Sequence, residues 1–203
     1  MTQRPNVPDR IEAERIYLRP YRAGDGPWFY AMGQRNRAHL LRYESDNVVM
    51  EAQSPAEAES LVRDLAAEWA AQRHLFLGAF DRRTDEFVAQ VYVGPVDGDA
   101  PEFEIGFFAD VNHEGRGYVT EAVRAVLHVL FGHLGARRIQ LHCDDTNVRS
   151  RRVAERCGFV LEEHVPDDKR NRDGTTSGTL CFGLQHTGQV PQVGADQATG
   201  VSG

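Results

Sequence analysis

The sequence predicts an α+β fold, in which a mixed, mostly antiparallel sheet of about six to seven strands is flanked by about four helices. Segments 74–80 and 87–93 are rich in aromatic and β-branched residues and are joined by a polar turn, a pattern typical of a β-hairpin. A glycine-rich segment, 112–122, follows a strand-like run and leads into a helix-like run. Segments 159–165 and 179–184 predict a closing pair of strands around a charged loop. The two hairpin-like pairs favour antiparallel neighbours over most of the sheet.

The first half of the chain contains one further strand and two helices. Apolar residues alternate well enough over 11–22 to predict the first strand. Asp25 is a candidate N-cap with Pro27 in the first turn, which predicts the start of the first helix. The segment 54–57, Ser-Pro-Ala-Glu, combines an N-cap, a first-turn proline and a capping-box glutamate, and predicts a second helix that runs to about Gln72.

The second half predicts a strand before the glycine-rich segment and a strand and helix after it. Segment 102–108 has strand-like composition, and apolar residues then recur at helical spacing until about Gly135. Segment 138–143 predicts another strand. Residues 144–147 offer several caps for a short helix, which stops at Gly158.

Composition predicts one soluble domain. The 203 residues include 41% hydrophobic ones, and no apolar run approaches the roughly 18 residues of a membrane helix. We expect residues 1–10 to be a disordered lead, 11–185 to form the domain, and 186–203 to be a disordered tail. The first ten residues lack the apolar core of a secretory signal, so a cytoplasmic location is expected.

The charge and the metal-binding residue types exclude several classes of function. A formal net charge of -7 argues against a nucleic-acid binder and suits a cationic or amine partner. Cys143, Cys157 and Cys181 are widely spaced without a Cys-x-x-Cys pair, which predicts buried free thiols. The histidines are scattered without a zinc motif, so no metal is expected. No membrane partner is expected either, because no apolar run is long enough to span a membrane.

The glycine-rich segment is the part of the chain most suited to binding an anion. A strand-to-helix turn presents unpaired backbone N–H groups and the positive end of a helix dipole, and glycines there let a phosphate approach closely. Arg116 adds a positive charge, so we expect a pyrophosphate cradle. Gly115-x-Gly117-x-x-Thr120 also approaches a dinucleotide-binding fingerprint, but that motif requires a parallel strand–helix–strand unit, whereas a hairpin precedes it here. A Walker loop is excluded, because no Gly-Lys-Ser/Thr follows.

Three patches in this order resemble the GCN5-related N-acetyltransferase (GNAT) superfamily, closest to its branch of ribosomal-protein N-terminal acetyltransferases. They are Glu-Ile-Gly-Phe-Phe at 104–108, Gly-Arg-Gly-Tyr-Val-Thr-Glu-Ala at 115–122, and Asn-Val-Arg-Ser-Arg-Arg-Val-Ala-Glu-Arg-Cys-Gly-Phe at 147–159. The resemblance covers roughly residues 11–185. It implies a splay between the fourth and fifth strands, acetyl-CoA as donor, and direct transfer to a primary amine through a tetrahedral intermediate.

The resemblance also implies where coenzyme A binds. The pantetheine arm would lie along the strand before the glycine turn, at Phe107, Phe108 and Ala109. Asn147 matches a position near the cofactor. The pyrophosphate would rest on the turn and the first residues of its helix, at Gly115, Arg116, Gly117, Tyr118, Val119 and Thr120.

Two residues are the candidates for catalysis. Glu104 matches the superfamily's strand carboxylate and could take the ammonium proton, directly or through water; alternatively it is a surface carboxylate. Ser150 could donate a proton to the departing thiolate or simply support the start of its helix. Ala154 stands where many members have a tyrosine acid, which excludes that acid here. Glu114 in the phosphate loop would be unfavourable near a pyrophosphate unless its side chain pointed to solvent.

The acceptor stays open at the level of the sequence. The segment 39–47 either contacts the acceptor or is an ordinary helix end and loop. A protein N-terminus, a small-molecule amine and an antibiotic are all compatible with its acidic residues, Glu44 and Asp46. A homodimer is left open. A non-catalytic acyl-CoA-binding module is the alternative from another class, and the presence of Glu104 and Ser150 argues against it.

Overall fold

The computed structural model describes residues 7–44, 47–96, 101–170 and 174–186, which form one eight-stranded sheet with four α-helices around it. In chain order the elements are β1 (Ile11–Glu12), β2 (Ile16–Pro20), α1 (Gly26–Tyr43), a 3-10 helix (Val48–Met50), α2 (Pro55–Ala70), β3 (Leu75–Asp81), β4 (Phe87–Pro95), β5 (Glu102–Ala109), α3 (Tyr118–Gly132), β6 (Arg138–Asp144), α4 (Val148–Arg156), β7 (Val160–Arg170) and β8 (Thr176–Gln185).

The sheet is mixed. Its order is β1-β2-β3-β4-β5-β6-β8-β7, and every neighbouring pair is antiparallel except β5 with β6. The predicted α+β fold with a mostly antiparallel sheet is therefore confirmed. Eight strands replace the predicted six to seven because the segment 11–22 contains a turn: the Ala13 N–H donates to the Ile16 carbonyl (2.9 Å), and β1 folds back on β2.

Helices cover both faces of the sheet. Strand residues alternate between the faces, so Ile105 and Leu141 join a core beneath α3, whereas Phe108 joins a core beneath α1 and α2. Val123, Val126 and Leu130 are among the α3 residues in the first core, and Phe29, Met32, Val62 and Leu65 are among the α1 and α2 residues in the second. Two separate cores therefore hold the central strands from opposite sides.

The start of α2 agrees with its predicted capping box. The Ser54 Oγ accepts from the Glu57 N–H (3.2 Å), and the Glu57 carboxylate accepts from the Gln53 N–H (2.9 Å). The helix ends at Ala70, before the predicted end at Gln72, because Gln72 adopts a left-handed φ of 53°.

The start of α1 is capped differently from the prediction. Asp25 precedes the helix as expected, but its side chain makes no cap hydrogen bond. Its carboxylate instead accepts from Arg19 (2.6 Å) and from the Trp28 indole N–H (2.9 Å). Glu59 of α2 supplies a cap by accepting from the Gly26 N–H (3.1 Å). The two helices are thus joined at this end by a carboxylate from α2.

The closing hairpin is longer than predicted. β7 extends to Arg170 and β8 begins at Thr176, so strand pairing continues into the predicted loop, with Lys169 opposite Ser177. Residues 171–173 of that loop lie outside the described residues.

The expected disordered ends lie largely outside the described residues, which begin at position 7 and end at position 186. Val7 is only 1% exposed, and Asp9 accepts from the Trp69 indole N–H (3.2 Å), so this part of the expected lead packs on the domain. His186 stacks on Phe131 (5.2 Å between ring centroids). Among the described helices, none is long and apolar enough to cross a lipid bilayer.

A buried carboxylate, Asp110, joins α1 to the segment that follows β5. Its side chain is fully buried, and one oxygen accepts from Arg35 (2.6 and 3.0 Å) and from the Asn36 amide (3.0 Å). The other oxygen accepts from the Asn112 N–H (3.0 Å), while the Asn36 Oδ1 accepts from the Val111 N–H (2.8 Å). Burial alone would raise the pKa of Asp110, but these hydrogen bonds outweigh burial and lower it.

The variant Asp110→Asn tests this network. An amide of the same size cannot accept as well from Arg35, so the free energy of unfolding near neutral pH should fall by about 2 kcal/mol. A lowered carboxylate pKa stabilises the fold above the unfolded pKa of about 3.9, and this contribution disappears as pH falls through the folded pKa. The difference in the free energy of unfolding between variant and wild type should therefore become smaller below about pH 4, as measured by urea denaturation at a series of pH values.

Asp64→Asn is the matched control, because Asp64 is exposed on α2. It should leave the free energy of unfolding nearly unchanged. A deficit in Asp110→Asn that stays constant as the solution is acidified would contradict the assigned role of Asp110.

Candidate active site

β5 and β6 separate partway along their length. Their parallel pairing ends at Ile105 opposite Leu141, although β5 continues to Ala109 and β6 to Asp144. Beyond that point β5 stays paired with β4 and β6 with β8. Within the part of the chain that the structure describes, the separation leaves one edge of the segment 106–109 without a strand partner. It confirms the splay that the resemblance implies between the predicted fourth and fifth strands.

The glycine turn connects the end of β5 to α3. Gly115 (φ +74°) and Gly117 (φ +81°) adopt the left-handed conformation that glycine alone takes easily, and Gly117 is the N-cap residue of α3. Within the described residues, the backbone N–H groups of Tyr118, Val119 and Thr120 donate to no protein acceptor. The turn therefore presents three donors and the positive end of the helix dipole to the same space.

Side chains from the far edge of the sheet hold this end of α3 in place. Arg15 donates to the Arg116 carbonyl (3.0 Å) and to the Glu121 carboxylate (2.7 Å). The Tyr118 hydroxyl donates to Asp81 (2.7 Å), and this hydrogen bond is the main reason that the pKa of Asp81 falls to about 2. The Tyr118 side chain is thus tied to β3, so only its backbone N–H faces the anion site.

A groove of about 850 Å³ joins the strand separation to the start of α3. Most of the residues predicted to contact coenzyme A line it: Phe107, Phe108, Ala109, Gly115, Gly117, Tyr118, Val119, Thr120 and Asn147. Phe108 is only 3% exposed, and its ring packs against Phe87, so Phe108 offers its backbone to the groove. Arg116 does not line the groove; its side chain is exposed beside it.

Ser150 and Asn147 lie together at the start of α4 and both line the groove. The Asn147 side chain is the N-cap and accepts from the Ser150 N–H (3.1 Å). Ser150 therefore supports the start of α4 through its backbone N–H and not through its hydroxyl. Within the described part of the chain, its hydroxyl has no protein partner, so it is free to meet a ligand.

Glu114 lies on the groove wall, where its carboxylate meets neighbouring side chains rather than pointing to solvent. One carboxylate oxygen is paired with Arg149 of α4, and the other lies 3.3 Å from the His39 Nδ1 of α1. The side chain is 22% exposed. The glutamate predicted to be unfavourable near a pyrophosphate is thus part of an ion pair that spans the groove.

Glu104 does not line the groove, but it lies at the closed end of the strand separation. It is one residue before Ile105, the last paired residue of β5, and its side chain points to the face opposite α3. His142, one residue after the last paired residue of β6, points to the same face. The Glu104 Oε1 and His142 Nδ1 are 3.6 Å apart, and the two side chains are 47% and 39% exposed.

His142 is a candidate functional residue that the sequence did not indicate. Only the parallel register brings it beside Glu104, and that register depends on residues far apart in the chain. The strand-like alternation of 138–143 could have placed it on the correct face.

Tyr92 and Gly106 complete this face of the sheet. They are directly opposite each other on β4 and β5. A Cβ added at Gly106 would make ordinary van der Waals contact with the Tyr92 side chain at 3.7 Å. Burial, and then the charge of Glu104, raise the pKa of the Tyr92 hydroxyl, which lies 3.0 Å from the His74 Nδ1.

The end of α1 forms another wall of the groove. His39, Arg42, Tyr43 and Glu44 line it, and all four belong to the segment predicted to contact the acceptor. Glu44 also accepts from the Asn47 amide (2.7 Å). Asp46, the other acidic residue of that prediction, lies outside the described residues.

The cysteines are structural thiols. Cys143 is buried and Cys157 and Cys181 are partly buried, and all three are free. Burial raises the pKa of the Cys143 and Cys157 thiols to about 11, so both stay protonated near neutral pH and are poor nucleophiles. Among the described residues, no group of three or more His, Cys, Asp or Glu is arranged to hold a metal ion.

The chain is similar to known acetyltransferases in sequence and in fold. It is 28% identical over 157 residues to YjcK, a probable N-acetyltransferase of Bacillus subtilis, covering 75% of this chain and 84% of YjcK. It is 30% identical over 80 residues to the ribosomal-protein-serine acetyltransferase of Escherichia coli, covering 39% of this chain and 45% of that protein. The structure of Mycobacterium smegmatis RimJ in complex with CoA-disulfide superposes with a TM-score of 0.79 at 23% identity, covering 94% of this chain and 93% of RimJ.

A family model described as an acetyltransferase (GNAT) domain matches residues 15–160, which is more than half of the chain. This match spans the strand separation, the glycine turn and α4. The chain therefore belongs to the GNAT family, whose members take an acetyl group from acetyl-CoA.

Proposed function

We propose that the protein moves the acetyl group of acetyl-CoA to a primary amine by direct attack through a tetrahedral intermediate, and that its acceptor is the N-terminus of a protein. The continuity of the groove carries this proposal. The strand separation opens directly onto the anion-binding start of α3. A donor that carries a thioester at one end and a pyrophosphate further along suits such a groove.

The donor has complementary partners along the groove. Alternate backbone groups of the segment 106–109 lack a strand partner among the described strands and can bond the amides of the pantetheine arm, as in strand addition. The N–H groups of Tyr118, Val119 and Thr120 suit the pyrophosphate. Arg116 is exposed nearby and adds positive charge.

Glu104 and His142 are suited to remove the proton that keeps the acceptor amine inactive. An ammonium has no lone pair, so it must lose a proton before its nitrogen can bond to the carbonyl carbon. Both side chains border the closed end of the strand separation and are open to solvent on the face opposite α3. Either group can receive the proton directly or through water. If His142 receives it, the resulting imidazolium lies 3.6 Å from the Glu104 carboxylate, which stabilises its positive charge.

Ser150 is suited to the last step. When the carbon–sulfur bond breaks, the sulfur leaves as a thiolate, which a hydroxyl can protonate while it regains a proton from the positively charged nitrogen of the tetrahedral intermediate, directly or through water. The Ser150 hydroxyl faces the groove without a protein partner in the described residues. A backbone N–H in the separated part of β5 is the candidate donor to the oxyanion.

Similarity to an Escherichia coli ribosomal-protein-serine acetyltransferase and a fold shared with RimJ support a protein acceptor. Thiol release from acetyl-CoA over a panel of unblocked peptides, N-terminally blocked peptides, polyamines and aminoglycosides tests this choice. Turnover should require an unblocked peptide N-terminus. Turnover on small amines but on no peptide would show that the acceptor is a small molecule and not a protein. Binding of acetyl-CoA without turnover on any amine would show that the protein is a non-catalytic acyl-CoA-binding module.

Gly117→Val tests the anion site. A β-branched residue at φ +81° is strained, so the N–H groups at the start of α3 should lose their alignment. The affinity for acetyl-CoA, measured by calorimetry, should fall by about 10- to 100-fold.

Gly135→Val is the control, because Gly135 (φ +63°) follows the other end of α3 and has a comparable backbone requirement. It should lower thermal stability and leave the affinity of the folded protein unchanged. Equal affinity losses in both variants would mean that general destabilisation, rather than the cradle, causes the effect.

Glu104→Gln tests the proton acceptor. The amide cannot accept a proton, so kcat/KM for a peptide should fall, and its rise with increasing pH should flatten or shift. Glu102→Gln provides the comparison, because Glu102 lies two residues earlier on the same face of β5 and is 31% exposed beside Arg138. A pH profile of Glu104→Gln that matches wild type would remove Glu104 as the base.

A further inference from the structure

One face of α4 presents arginines to the groove. Arg149, Arg152 and Arg156 all line it, and their spacing of three and four residues places them on the same side of the helix. Arg151 lies between them in sequence but points elsewhere and is paired with Glu155 (2.8 Å). The groove therefore has a strongly basic wall in a chain whose formal net charge is -7.

Two of these arginines have no carboxylate partner among the residues that the structure describes. Arg149 is paired with Glu114, but within the described residues neither Arg152 nor Arg156 makes an ion pair through its side chain. The nearby acid of α3, Glu121, is already bound by Arg15. The positive charge of this pair is therefore left for a ligand.

The pair lies close to the anion-binding turn. Cys157, which follows Arg156, has its sulfur 3.7 Å from the Thr120 carbonyl. Arg124, one helical turn beyond Thr120, donates to the Arg156 carbonyl (2.7 Å). These contacts fix the end of α4 beside the first turns of α3. Arg152 and Arg156 therefore line the same groove as the start of α3, on the adjacent helix.

We propose that Arg152 and Arg156 form the binding site for the 3′-phosphate of coenzyme A. The inference rests on the proposed function, which assigns the pyrophosphate to the start of α3. The 3′-phosphate is the remaining anionic group of coenzyme A and lies on the ribose beyond the pyrophosphate. Guanidinium groups bond phosphate oxygens through paired N–H donors, and two arginines one turn apart can approach one phosphate from adjacent sides.

This site gives the protein a preference among acetyl donors. Acetyl-CoA carries the 3′-phosphate, whereas acetyl-dephospho-CoA and acetyl groups on a carrier-protein phosphopantetheine do not. The arginine pair therefore favours the free coenzyme A thioester over donors that share only its reactive end.

Calorimetric titration with coenzyme A and with dephospho-CoA tests the proposal, using wild type, the double variant Arg152→Gln/Arg156→Gln, and Arg151→Gln. Wild type should bind coenzyme A about 10-fold or more tightly than dephospho-CoA. The double variant should lose this preference, because its affinity for coenzyme A should fall while its affinity for dephospho-CoA stays unchanged. Arg151→Gln, a change of the same type on the other side of α4, should keep the wild-type affinity for both ligands.

The outcomes separate the inference from the function on which it rests. Equal wild-type affinities for the two ligands, or an equal loss for both in the double variant, would overturn the 3′-phosphate site and leave the proposed function standing. Failure of wild type to bind either ligand would overturn the proposed function as well. Glutamine keeps high helix propensity, and circular dichroism checks that α4 variants fold. If the double variant does not fold, Arg152→Gln and Arg156→Gln are titrated singly, with each expected to weaken only coenzyme A binding.

Discussion

The site depends on the loss of hydrogen bonding between two neighbouring strands. β5 and β6 begin as a parallel pair, and after Ile105 and Leu141 each is held only by its outer neighbour. An exposed strand edge is normally unfavourable, because its backbone groups must find partners elsewhere. Here the core beneath α3 holds both separated strands from one face, and the core beneath α1 and α2 holds β5 from the other face through Phe108. The unpaired edge is thereby preserved in a fold that is otherwise well paired.

The anion site beside this opening is held in place by contacts within the protein itself. Asp110 holds the segment after β5 against α1, and Arg15 and Asp81 hold the start of α3 against the first strands. Glu114 and Arg149 link the same turn to α4. Ligand binding therefore needs little ordering of the backbone, which reduces the entropic cost of association.

Features set by neighbouring residues could be predicted from the sequence, whereas features set by distant residues could not. The glycine turn and the Ser54 cap follow from local chemistry, and both lie where they were predicted. The strand separation came only from resemblance to a family, because no local pattern specifies where two strands stop pairing. The Glu104–His142 pair depends on the β5–β6 register. Asp25 departs from its prediction because Arg19 and Trp28, placed by the tertiary structure, compete for its carboxylate.

The separation of β5 and β6 connects the two faces of the sheet. α3 and the glycine turn stand on one side, while Glu104 and His142 open on the other. Under the proposed function the two substrates reach the reacting carbon by separate entrances, so both can be bound at once. Such an enzyme follows sequential kinetics through a ternary complex. It needs no covalent acetyl-enzyme, which an enzyme requires when its two substrates bind one after the other at the same place.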